Sequence, residues 1–215
     1  MNTMTFNEIL KAAWLEKNGD MDYPSAGTED MAVLVRAGNR AVGLWEQEIW
    51  SGVLWSALKK SGVFTFSGTG TDLLLADFLA FVPDTDKVAR ISVGWKEYEI
   101  VPMSQGIEAA RSGISRNIAW VEGASIRTIP SAVASETLPY VRKATRMATG
   151  METTYPDMED PDFMVDIIVA ALAKSDSDFD EASDRLASAK DKLRSMKYPY
   201  YPTEATRRGG FSYGS

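Results

Sequence analysis

The chain has 215 residues, 45% apolar and 25% charged, which is ordinary for a soluble globular protein with room for one core or two small ones. It contains no cysteine and no histidine, so disulfide frameworks, thiolate zinc sites, His-based triads and HExxH metal sites are excluded. A net charge of −7 disfavours phosphate backbones, and the most apolar run, Phe163–Ala173, carries Asp166 and falls short of the about 20 residues a bilayer span needs.

Met1–Leu10 lacks a basic n-region and a continuous apolar h-region, so the sequence predicts no secretory signal and points to cytoplasmic synthesis. Thr5 with Glu8 forms a capping-box pattern, behind which Phe6, Ile9, Leu10, Ala13 and Trp14 fall on one helical face. Asn18–Gly19 ends that helix, and Tyr23–Gly27 reads as a loop. Thr28 caps the next helix, with Glu29 and Asp30 in its dipole-favoured first turn. Met31, Val35, Gly38, Val42, Trp45 and Ile49 then repeat at alternating four- and three-residue spacings, the seam of a helix packed along another. The pattern predicts a helix running to about Lys60, weakened at Gly43 and Gly52 by about 1 kcal/mol each relative to alanine. Trp45, Trp50 and Trp55 all fall in it, as core residues or as a subunit interface.

After Gly62 the pattern changes. Val63–Phe66 alternates like a strand and Ser67–Thr71 is a Gly/Thr turn. Val88–Val93 and Tyr98–Val101 read as further strands, and Gln105–Asn117 as a loop or a short helix. Ile118–Glu122 and Ser125–Ile129 flank a turn at Gly123, and a last strand is expected over Leu138–Arg146. An acidic, proline-bearing stretch, Tyr155–Asp162, leads into two amphipathic helices. Asp160–Pro161 starts the first, at about Asp162–Lys174, with Met164, Ile167, Ile168, Ala171 and Leu172 on its buried face. The second, Phe179–Lys197, places Phe179, Ala182, Leu186, Ala189, Leu193 and Met196 on one stripe. The short connection makes these helices antiparallel, packed against the long N-terminal helix.

Residues 198–215, YPYYPTEATRRGGFSYGS, have no core-forming period, and their prolines favour an extended arm. Tyr198, Tyr200, Tyr201, Arg207, Arg208, Phe211 and Tyr213 are the residue types that binding hot spots use, so they are candidate partner-binding residues; the alternative is a solvated tail. The expected fold class is α+β. Residues 1–61 and 148–197 supply a helical bundle, 62–147 an inserted small β-domain, and 198–215 the arm.

Chemistry-bearing patterns are weak. Asp176, Asp178 and Asp180 open like an EF-hand loop, but Glu181 stands where glycine is needed and Ala187 where the bidentate glutamate is needed; a helix start with Asp178 as cap explains them. Ser56 and Lys59 match S-x-x-K without the companion motifs of penicillin-binding proteins, and Gly68-Thr-Gly70-Thr lacks the rest of a phosphate loop. Paired carboxylates are the chemistry most open to such a chain, and Glu8, Glu46, Glu48 and Glu122 are candidates for it without any specific pattern.

Taken in order, FNEILKAAW, NRAVGLWEQE, GVFTF, LLLADFLAFVPD, IAWVEGASIRTIP, LPYVRKATR and FMVDIIVAALA with its partner helix resemble the head-to-tail adaptor (connector) proteins of tailed bacteriophages over roughly residues 5–197. The resemblance implies a non-enzymatic virion protein of the neck, made in the host cytoplasm. It implies a homo-oligomeric ring, commonly of twelve subunits, beneath the portal protein. Such a ring contacts tail or neck proteins, passes DNA without binding it specifically, touches no membrane and needs no cofactor. Some short-tailed-phage relatives also lyse cell wall, so a virion-associated enzyme using carboxylates is one alternative; a scaffold or binding module is the other.

Overall fold

The structure, a computed structural model, describes residues 4–19, 22–53, 55–82, 89–113, 116–148 and 153–197. In chain order its elements are α1 (Phe6–Asn18), α2 (Glu29–Gln47), β1 (Lys59–Ser67), β2 (Thr71–Leu73), β3 (Phe78–Phe81), β4 (Arg90–Val93) and β5 (Lys96–Ile100). They continue with α3 (Met103–Ser112), β6 (Ile118–Glu122), β7 (Ser125–Ile129), β8 (Val133–Arg142), α4 (Pro161–Ser175) and α5 (Phe179–Lys197). The fold is mixed α+β. Two compact units divide it: Leu58–Lys143, and a helical unit that draws on the chain to either side.

In the helical unit, α4 packs against α1, α2 and α5. Asp160 caps α4 by accepting the Asp162 N–H, with Pro161 in the first turn, as the sequence predicts. The capping box of Thr5 and Glu8 and the Thr28 cap also form. Burial of α4 exceeds the predicted stripe. Phe163, Val165, Val169, Ala170 and Ala173 are buried along with Met164, Ile167, Ile168 and Leu172, while Ala171 is only half-buried. A helix with neighbours on several sides is apolar nearly all round.

Three further expectations are corrected in this unit. The long helix stops at Gln47 instead of continuing to about Lys60. A 3-10 turn, Glu48–Ser51, follows, and Gly52 takes a left-handed φ of 90° that reverses the chain. Trp55 then stacks on Trp45 with ring centroids 5.0 Å apart, and its indole N–H donates to the Trp45 carbonyl at 2.9 Å. Trp45 and Trp55 are buried but Trp50 is 66% exposed. The expected strand over Leu138–Arg146 breaks off at Arg142 because side chains take up the next backbone donors. Ala144 N–H donates to Glu46, Thr145 to Asp157 and Met147 to Asn39, at 2.6, 2.8 and 2.7 Å. On α5 only Ala182 and Ala189 of the predicted stripe are buried, while Phe179 and Leu186 are exposed.

The second unit holds two sheets, a three-stranded one ordered β1-β8-β3 and a five-stranded one ordered β2-β7-β6-β5-β4. All pairs are antiparallel except β5 with β6, which α3 connects as a crossover. β8 begins five residues earlier than expected because it pairs with the whole of β1, from Ser67↔Val133 to Lys59↔Val141. Tyr140 therefore lies toward its end. β2 and β3 were not anticipated, since Leu73–Phe81 lacks the alternation of a half-buried strand. Residues of both sheets share one core in which Phe64 meets Phe78 and Tyr140 edge-on, and Phe78 stacks on Tyr140.

Gln105–Asn117 resolves as a helix over its first part. α3 lies so close to β6 that a Cβ on Gly106 would stand 2.3 Å from the Trp120 ring. Trp120 is 4% exposed and cannot swing away. Gly106→Ala should therefore destabilise this unit by about 1–3 kcal/mol, despite alanine's better helix propensity, measurable as a lower urea midpoint. An unchanged midpoint would show that α3 can lift off the sheet.

Candidate functional site

The seven candidate partner-binding residues, Tyr198, Tyr200, Tyr201, Arg207, Arg208, Phe211 and Tyr213, lie outside the described residues. The four candidate carboxylates are described, and each is held by a structural partner. Glu8 accepts the Thr5 N–H at 2.7 Å, which holds its carboxyl below the usual range. Glu46 binds the Ala144 N–H and the Arg146 guanidinium. Glu48 pairs with Lys197 at 2.7 Å, and Glu122 with Arg127 at 2.8 Å. Glu8, Glu46 and Glu48 belong to the helical unit and Glu122 to the other.

Asp176 and Asp178 do face a cation, the Lys17 ammonium. It stands 3.7 and 3.6 Å from them and 2.6 Å from Glu181, whose hydrogen bond raises the Lys17 pKa. Asp178 also accepts the Glu181 N–H, the helix start read from the sequence. Among the described residues no acidic cluster is arranged to hold a metal ion. Added calcium should leave the melting temperature unchanged, and a rise reversed by chelator would contradict this arrangement. Ser56 and Lys59 sit in a 3-10 turn and at the start of β1, and residues 68–70 link β1 to β2, which Thr71 opens. Among the described residues no helix is long and apolar enough to cross a membrane.

The helical unit also carries a groove of about 610 Å³. Leu44 of α2 and Trp50 of the 3-10 turn form one wall, and Leu186 and Leu193 of α5 the other. Buried Phe163 and Ile167 of α4 make the floor, while Trp50 is 66% and Leu186 40% exposed. Glu48 also lines the groove, and its ion pair with Lys197 fixes the C-terminal end of α5 at the rim. The groove offers no acid–base pair; it offers apolar area and aromatic surface. The sequence places Leu186 and Leu193 on the stripe of α5 and leaves Trp50 as core or subunit interface, because three–four spacing reports an apolar face without reporting what covers it.

A second exposed surface poor in charge lies on the sheet unit. Ser61, Val63, Thr65 and Ser67 of β1 are exposed, and so are their partners Pro139, Thr137, Ser135 and Val133 of β8. Lys59 is the charged residue on this face of β1, at its end; the eight alternate positions from Ser61 to Ser67 and from Val133 to Pro139 are uncharged. A smaller cavity of about 190 Å³ lies beneath Tyr23, between α1 and α2. No protein-family model matches this chain, and no curated protein matches it significantly in sequence.

Proposed function

We propose that this protein is a structural head-to-tail adaptor of a tailed bacteriophage, a subunit that oligomerises beneath the portal protein and presents a surface to tail or neck proteins. In this reading the helices of the two chain ends form a bundle, the β unit is an insertion in it, and residues 198–215 are an extended arm that reaches a partner. The observation that carries the reading is the element order, with α4 of the C-terminal part packed on α1 and α2 of the N-terminal part and the strands between them in a unit of their own. The apolar walls of the groove and the exposed sheet face supply area for subunit contacts, and the candidate carboxylates are already engaged with structural partners. That favours assembly by binding over hydrolysis.

Twelve subunits at −7 each would carry about −84 before screening, so a ring of them passes DNA without gripping it. The ring acts at the virion neck and needs no cofactor. Mixing the purified chain with portal rings tests this: a ring-on-ring complex in electron micrographs is expected, together with no duplex binding at physiological salt. Clearing of peptidoglycan by the chain without portal association would replace this reading with the lytic one.

A further inference from the structure

We propose that the groove between the 3-10 turn Glu48–Ser51 and α5 receives the C-terminal segment of a second copy of this chain, with Tyr198, Tyr200 and Tyr201 entering between Trp50 and Leu186. The inference rests on the ring-forming reading and adds the contact that closes the ring.

The chain itself supplies the occupant. α5 ends at Lys197, pinned by Glu48 to the rim of the groove, and 18 residues follow, three of the first four being tyrosines. Groove and segment are complementary in kind. The groove volume falls within the about 300–1,000 Å³ typical of sites that enclose a compact ligand, and its exposed wall is an indole. Tyrosine brings a flat ring with few rotamers to lose and a hydroxyl that stays at the wet rim.

Direction decides which copy. The walls Leu193 and Leu186 lie behind the end of α5, Leu186 by about 16 Å at helical rise. To fill its own groove the chain would have to reverse at once after Lys197. Pro199 and Pro202 oppose that, because each disfavours the α region for the tyrosine before it, and YPYYP favours running on by about 15 Å at polyproline rise. A segment that leaves one subunit and enters the groove of the next is a head-to-tail contact, the kind that closes into rings.

The test titrates a fluorescent peptide, YPYYPTEATRRGGFSYGS, with the full chain and reads anisotropy. Saturable micromolar binding is expected. Trp50→Ala with Leu186→Ala should weaken it at least tenfold, with an unchanged circular dichroism spectrum and melting temperature, since both side chains are exposed. Replacing Tyr198, Tyr200 and Tyr201 of the full chain by alanine should alter peptide affinity less than threefold. Absence of binding overturns the proposal, and so does binding that survives the groove substitutions. Peptide affinity that rises tenfold or more once the chain's own tyrosines are removed, at concentrations where the unaltered chain sediments as a monomer, assigns the groove to the same subunit and also overturns it. No portal enters this assay. Peptide binding without portal rings would therefore count against the adaptor reading alone, and portal rings without peptide binding against this contact alone.

Discussion

Trp45→Ala should lower the stability of the helical unit by about 3–5 kcal/mol, the cost of a large cavity in a packed core. Trp45 is 1% exposed, stacks on Trp55, and its carbonyl receives the Trp55 indole N–H. Its loss removes the ring that Trp55 stacks on, while the main-chain carbonyl at position 45 still accepts the Trp55 indole N–H. Trp50→Ala, five residues on, removes an equal side chain from the surface and should stay within about 0.5 kcal/mol. Urea unfolding of the two variants side by side measures the contrast. Equal losses would mean that Trp50 is packed in solution, and equal neutrality that the Trp45–Trp55 stack does not hold the turn.

Asp166→Ala should cost about 2–3 kcal/mol, from charge-assisted hydrogen bonds lost between α4 and α5. Asp166 is 2% exposed on α4 and receives the Ser188 hydroxyl at 2.7 Å, the Lys192 ammonium at 2.6 Å and the Arg185 guanidinium at 3.4 Å, all from α5. The loss falls below the about 3–5 kcal/mol of a fully buried pair, because both cations keep close to a third of their surface in water. Burial works against the charge on Asp166, but the hydrogen bonds from Lys192 and Ser188 outweigh it and hold its pKa below the ordinary aspartate value. A carboxyl whose folded pKa is lowered contributes stability that is complete above the unfolded pKa and is lost as pH falls through the folded one. The difference between the natural chain and Asp166→Ala should therefore be largest near neutrality and shrink in acid. Unfolding curves at several pH values check this, and a gap that widens in acid would show that Asp166 is protonated in the folded chain.

Local chemistry in the sequence foretold much of this fold. The Thr5–Glu8 capping box, the Thr28 cap, the Asp160–Pro161 start and the Gly123 hairpin turn each need only a few neighbouring residues, and each forms where expected. Elements settled by distant partners were harder to read. The spacing from Met31 to Ile49 does not disclose that Trp55 will fold back on Trp45 and end the helix. The length of β8 is set by β1, more than sixty residues earlier, and β3 is a strand because Phe78 and Phe81 have Tyr140 to pack beside. The groove was the least legible feature. Phe179, Leu186 and Leu193 carry a core-like spacing, yet no described element covers Phe179 or Leu186.

Cryo-electron microscopy of a phage neck, with this chain traced in the density, decides whether it builds the proposed ring under a portal. The expected result is a closed ring of copies seated on the portal, each contributing the helical unit described above and sending residues 198–215 onto a neighbouring molecule. A neck completed by other proteins, with this chain absent from the particle, would contradict it.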